Sequence, residues 1–571
     1  MATTRINLQP ALLDLCSLEN SCPPASVTEG QKESTAAAFT ARSRKVVPIS
    51  TPLTSIKPGN YSQVIEKIKR ILDSNSLPTV YRQHLVQPLY DKLISKEGKK
   101  WFENQLKDEE DRPLENVILA IFQNFSTPAE GGVSQENAAA AQEAISDLFQ
   151  DFMQRKCHLV DRGKDCKTAP SPLPFWTQED ISTYPRIRES LDTAAITVNI
   201  VNVPARYATR SAIAWGTFGH EVSGHDILGQ YPGALEELQE ALKIELKNKK
   251  LDQFIPHWLK WMNEATSDVL SILHLGPAGA FSMIGFLKAL GENRSFKLAN
   301  ISFLGDEHPV DLLRAFVVKA AVNLLPLTDR TMYTALIEQT LANDLKGINE
   351  IWLDSVNTQS PDIQAFFRCH LKKHPLDELS FKEIDNGIAA LLHGSLGTNA
   401  CINNLKNISR NQKTKLARSD ERGSNTVSHD AFLIDKSRQS AELFAQVVMT
   451  TPLKALGGKS FSEIRAWKDK DEKIANTFRK ILLLEDDIVD KYKEGCFGSH
   501  VVSAAIMESI SDTSTNPMNQ ARLQSIFKRM ISILNTLHKT NSEWTETDYI
   551  PQVPTTRRIG GRSIGGEEAF W

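Results

Sequence analysis

Phe218-Gly219-His220-Glu221-Val222-Ser223-Gly224-His225-Asp226 sets two histidines around a glutamate in a stretch that reads as helix. Apolar Ala212, Ile213, Trp215 and Phe218 precede it, and Gly229-Gln230-Tyr231-Pro232-Gly233 stops it. Two imidazoles and a carboxylate on one helix are how a zinc hydrolase holds its metal and its base. The common spacing places the imidazoles at i and i+4, roughly 40° apart on a helix of ~3.6 residues per turn. Here Gly224 is interposed and the spacing is i and i+5, roughly 140° apart. Both rings reach one ion only if the helix widens by one residue, as in a π-bulge, a feature that gathers at functional sites. Glycine beside the second histidine eases that widening. The competing interpretation is two helix histidines, one capping and one buried, with Glu221 on a solvated face.

A zinc site needs a third protein ligand. Trp261-Met262-Asn263-Glu264-Ala265-Thr266-Ser267-Asp268 lies in an apolar, helix-periodic run. Glu264 is the candidate to supply a carboxylate oxygen, which would leave the fourth position to water. Asp268, one turn on, is expected to face the same way and to accept the free ring N–H of a ligating histidine. This segment resembles the N-E-x-x-S-D stretch of the gluzincins, the thermolysin-like zinc peptidases, in which the Glu is the third ligand and the Asp its supporting partner. The first stretch resembles the H-E-x-x-G-H signature of the dipeptidyl peptidase III family. The resemblance covers roughly residues 195–270. It implies a zincin-like catalytic core, one zinc per chain and a peptide or protein substrate.

The chain has 571 residues, a net charge of −3 and 41% hydrophobic residues, which suits a globular protein with more than one core. Lysines and arginines are scattered among acids, so no nucleic-acid partner is expected. The most apolar window, Val269 to Leu290, is interrupted by Gly276-Pro277, which favours buried helices over membrane insertion. Seven cysteines form no C-x-x-C pair, so no separate structural zinc is expected. Cys157 and Cys166 bracket a short polar loop and are positioned to bridge in an oxidising compartment; the alternative, taken as the expectation, is isolated thiols in a reducing cytosol. The N-terminus lacks a charged-then-apolar signal peptide, which implies a cytoplasmic protein or one secreted by another route.

The expected fold class is mainly α, with a small β element beside the active-site helix. Residues 1–58, rich in Ser, Thr, Ala and Pro, read as a flexible leader whose densest basic point is Ser43 to Pro48. Residues 59–175 read as a helical domain interrupted at Gly131-Gly132, 176–330 as the zincin-like core, 331–540 as a C-terminal helical domain and 541–571 as an extended tail. Lys406 to Ser428 reads as a charged connector. Ala194 to Pro204 is the best strand, β-branched and stopped by proline; it is either an edge strand for an extended substrate or an ordinary half-buried strand.

Glu221 is the expected general base. A developing oxyanion needs a further donor, and His500, His308 and Tyr207 compete for that role. Arg206 and Arg210 are candidate carboxylate binders. Asp306 and Asp311 are candidate caps of the helix from Ala315, with His308 and Arg314 turned to the cleft. The rival function is a helical interaction or effector protein whose metal site is structural or vestigial. A histidine phosphatase is suggested only by Ser223-Gly224-His225, without the Arg-Pro partner motif. A di-iron site would need repeated Glu-x-x-His pairs that the chain lacks.

Overall fold

The computed structural model describes residues 5–19, 55–107, 113–126, 134–160, 169–177, 181–184, 191–290, 296–300, 308–354, 429–483, 497–512 and 517–546. Ser43 to Pro48, Gly131-Gly132, Cys166, Asp306, Lys406 to Ser428 and the tail beyond Glu546 lie outside the described residues.

The described residues are mainly helical, with three short sheets. The helices that position the site are α1 (Gln9–Glu19), α2 (Gln135–Val160), α3 (Ala212–Phe218), α4 (Met262–Leu275), α5 (Pro277–Leu290), α6 (Asp311–Leu324), α7 (Ile434–Thr450), α8 (Gly498–Ser509) and α9 (Gln520–His538). Helix α3 continues through a π turn, Gly219–Asp226, and one last α turn, Ile227–Gly229. Ser211, with a φ of 77°, opens α3, and its hydroxyl accepts from the Ala214 amide. Helix α4 packs against the π turn and against α6, while α3 packs against α5 and α8. Both α4 and α5 are buried almost all round; α5 is nearly all apolar, whereas α4 buries Thr266, Ser267, Asp268, Ser271 and His274 as well as its apolar residues. They break at Gly276, whose φ of 60° suits glycine. Among the described residues no helix is long and apolar enough to cross a membrane.

Buried side chains gather in two clusters that cross the boundaries expected from sequence. The larger runs from Leu8 in the supposed leader through α2, the motif helix, α4 to α9 and ends at Leu537. The smaller takes the helices between Tyr61 and Phe125, Leu173, Phe175, Ile196, Ile200 and the late Trp544. The first part of the leader is therefore ordered: Ala11, Leu12 and Leu15 bury one face of α1, and Arg5–Ile6 (β1) pairs antiparallel with Ser511–Asp512. Local composition concealed this because only a few leucines carry the contact. Trp544 corrects the start of the tail in the same way; it stacks on Tyr81 with ring centroids 4.6 Å apart.

The sheet next to the motif has the order β2 (Leu173–Thr177), β4 (Ile200–Pro204), β3 (Ser182–Tyr184). Strand β2 runs parallel to β4, from Leu173 opposite Ile200 to Thr177 opposite Pro204. Strand β3 runs antiparallel, with Ser182 opposite Asn202 and Tyr184 opposite Ile200. The candidate edge strand is thus the central one. Ile200, Val201 and Val203 form a near-continuous apolar run, which suits a strand covered on both faces, and all five residues of β4 are buried. Strand β3 takes an outer place and packs against the π turn.

Cys16 and Cys157 each take part in a disulfide, which overturns the expectation of isolated thiols. Both residues are buried on their helices, and sequence spacing offered a bridging partner for Cys157 but none for Cys16.

Candidate metal centre

The π turn resolves the i+5 spacing. Its extra residue brings His220 and His225 together, with their Nε2 atoms 3.2 Å apart. Helix α4 lies across them. Glu264 presents one carboxylate oxygen to each ring, Oε2 at 3.2 Å from His220 Nε2 and Oε1 at 3.4 Å from His225 Nε2. One ligand atom from each of the three residues falls within 4.8 Å of the others, the group among the described residues that could hold a metal ion. Zinc bonds of about 2.0–2.1 Å in a tetrahedron imply donor–donor edges of about 3.3 Å, so the spacings and the N₂O donor chemistry fit that ion.

The far nitrogens are held from α4 as well. His220 Nδ1 lies 2.8 Å from Asp268 Oδ1, and Ser267 Oγ lies 3.3 Å from His225 Nδ1. Both Nε2 atoms are thereby turned toward Glu264. Asp268 is fully buried and takes a two-pronged contact from Arg314 on α6, Nε to Oδ2 and Nη2 to Oδ1, each 2.8 Å. Arg314 therefore stands behind the His220–His225–Glu264 cluster, not in the cleft. Ser267 was missed in the sequence, although it is part of the quoted N-E-x-x-S-D segment.

Electrostatics follow from this crowding. Burial opposes charge on the His220 ring, but hydrogen bonds and charges from Asp268 and Glu264 outweigh it and push the metal-free imidazole up to about 10. Burial also opposes the Glu264 charge; His220 and His225 override it and hold the carboxyl far below the ordinary range. Asp268 is likewise lowered, since Arg314 and His220 outweigh its burial.

Glu221 is 7% exposed, and among the described residues no hydrogen bond or ion pair engages its carboxylate. The three candidate donors separate. His308 reaches the centre: its Nε2 is 3.6 Å from Glu264 Oε2, and its side chain is 49% exposed. His500 sits elsewhere, buried against Trp467 with Nε2 3.0 Å from Asp471 Oδ1. Tyr207 is buried in the large core, where its carbonyl accepts from Trp215 Nε1 and the Arg206 guanidinium covers its ring. Arg206 and Arg210 do meet carboxylates, but those of α1: Glu19 at 2.7 Å and Asp14 at 3.5 Å. Asp311 accepts from the Ala299 amide at 3.1 Å, and no side-chain cap bond opens α6.

No family model matches this chain, and neither a curated protein nor a solved structure matches it.

Proposed function

We propose that this chain is a zinc-dependent hydrolase that cleaves peptide bonds, with His220, His225 and Glu264 as ligands. The observation that carries the reading is the convergence of two imidazole nitrogens and a carboxylate at the donor spacing of a zinc tetrahedron. A zinc ion held there supplies a Lewis acid that polarises a carbonyl and lowers the pKa of water from about 15.7 toward ~7. Glu221, next in sequence to the first ligand and unengaged, takes the proton of the attacking water and passes it to the leaving amine. His308, at the open side of Glu264, donates to the developing oxyanion. Asp268 holds His220 in the tautomer whose Nε2 lone pair is free for the ion. A peptide bond is the chosen substrate because both motifs resemble peptidases, and the outer strand β3 beside the π turn offers backbone groups to an extended chain. The disulfide-bonded state of Cys16 and Cys157 favours an oxidising compartment over the cytosol.

The test is the metal content of the purified protein beside His225→Ala, followed by a peptide-library screen of the zinc-loaded form. One zinc per chain, lost in the variant, with cleavage of peptides, supports the reading. Bound zinc without cleavage of any peptide favours an interaction protein with a structural ion. No zinc under replete conditions removes the metal centre altogether.

A further inference from the structure

We infer that Arg314 is a positioning residue of the metal centre, acting through Asp268 on His220; this rests on the metal-site reading above. The three residues come from three elements. His220 stands on the π turn, Asp268 on α4 and Arg314 in the first turn of α6. Nothing in the chain order brings Arg314 to the motif.

A carboxylate that supports a ligating imidazole must present one oxygen in the ring plane and keep it there. Asp268 alone has a freely turning carboxylate, since a terminal sp³–sp² torsion is broad. The guanidinium fork of Arg314 removes that freedom by holding both oxygens at 2.8 Å. The oxygen it fixes nearest His220, Oδ1, is the one 2.8 Å from Nδ1. All donor capacity on that side then belongs to Arg314 and His220, so Nδ1 must carry the hydrogen and Nε2 must face Glu264 and His225. Arg314 is itself fixed: it is 6% exposed, and its Nη2 rests 3.6 Å from Met283 Sδ of α5.

Charge makes a second contribution. Glu264 is the single anionic ligand, and a further uncompensated carboxylate at Asp268 would leave a divalent ion with little net positive charge. Arg314 cancels that carboxylate, so the ion keeps its polarising strength. Lysine cannot reproduce the fork, because its ammonium is a point charge that meets one oxygen at a time.

The test measures zinc affinity by competition with a chromophoric chelator, and the visible spectrum of the cobalt-substituted protein, for wild type, Arg314→Met, Arg314→Lys, Asp268→Asn and the double variant Asp268→Asn/Arg314→Met. Outer partners of this kind typically contribute ~10–100-fold to metal affinity. Arg314→Met should lose affinity within that range and shift the cobalt bands, Arg314→Lys should recover part of it, and the double variant should be no weaker than Asp268→Asn alone. If Arg314→Met does not fold, the Lys variant and its cobalt spectrum carry the test. Wild-type affinity and spectrum in a folded Arg314 variant overturn the inference while leaving the metal centre intact. A fully additive double variant also overturns it, because Arg314 would then act by another route. A wild-type protein that binds neither ion overturns the metal reading itself, and this inference with it.

Discussion

Gly224 lies so close to Ser267 that a Cβ on the glycine would stand 2.3 Å from Ser267 Cβ and 2.6 Å from its Cα. The π turn and α4 touch there backbone to backbone, and this contact sets the separation between the two histidines and Glu264. Real Cβ atoms do not approach so closely, and a Cα cannot swing aside as a long side chain can. Gly224→Ala should therefore push the two helices apart, cost about 1–3 kcal/mol of stability and weaken zinc binding at the same time. Denaturant unfolding and chelator competition read the two effects. Gly59→Ala, where an added Cβ meets nothing within 4 Å, is the control and should change neither.

Zinc binding should release a proton. Without metal, the His220 imidazole is pushed up to about 10 by its two carboxylate partners, so it is protonated at neutral pH. A ligand must be neutral, so each ion bound between about pH 7 and pH 9 displaces one proton, and affinity should rise about tenfold per pH unit before levelling near pH 10. Calorimetry in buffers of different ionisation enthalpy counts the proton; a pH-independent affinity would contradict the charged state. The sign for stability is the reverse. A group with a raised folded-state pKa stabilises the metal-free fold fully below ~6.5, and that contribution fades as pH rises through about 10.

Much of this cluster was legible in the sequence because its residues are local. His220, Glu221, His225, Glu264 and Asp268 lie in two short segments, and helix periodicity places their side chains. The i+5 spacing even pointed to the widened turn found at Gly219–Asp226. What lay hidden was long-range packing. Arg314 reaches Asp268 only because α6 crosses α4, and no pattern around residue 314 encodes that crossing. His500 looked like a donor because it opens a helix of small residues, but those residues serve close packing within the core. The central place of β4 stayed open in the sequence because a short, mostly apolar run fits either an edge or a middle strand until its neighbours are known.

A second buried charge network, built around Arg465, should be a source of stability and not of chemistry. Its guanidinium is 2% exposed and bridges Asp151 of α2, at 2.5 Å, to Asp471, at 3.2 Å, the same carboxylate that meets His500. Burial opposes the Asp151 charge, but Arg465 and Arg155 outweigh it and bring the carboxyl down to about 2. Arg465→Met would leave Asp151 with Arg155 alone and Asp471 with His500 alone as side-chain charge partners. The expected cost is about 3–5 kcal/mol, seen as a lower denaturant midpoint, with zinc affinity unchanged in the folded fraction. A fall in affinity at constant stability would instead tie the network to the metal centre.

Glu221 and His308 should separate chemistry from metal retention. Neither is a ligand, so Glu221→Gln and His308→Ala should each keep one zinc per chain by atomic absorption. Glu221→Gln preserves shape but cannot take a proton, and turnover of a cleaved peptide should fall at least ~10²-fold. His308→Ala removes one donor at the half-exposed side of Glu264, and about 10²-fold is the expected loss in kcat, with KM little changed, because the donor acts on charge that develops only in the transition state. The order of the two losses is informative. If His308→Ala raises KM and spares kcat, His308 holds substrate, not oxyanion, and the donor must come from elsewhere around the cleft. If Glu221→Gln retains full turnover, the carboxylate beside His220 is not the base, and the unengaged state of its side chain needs another explanation.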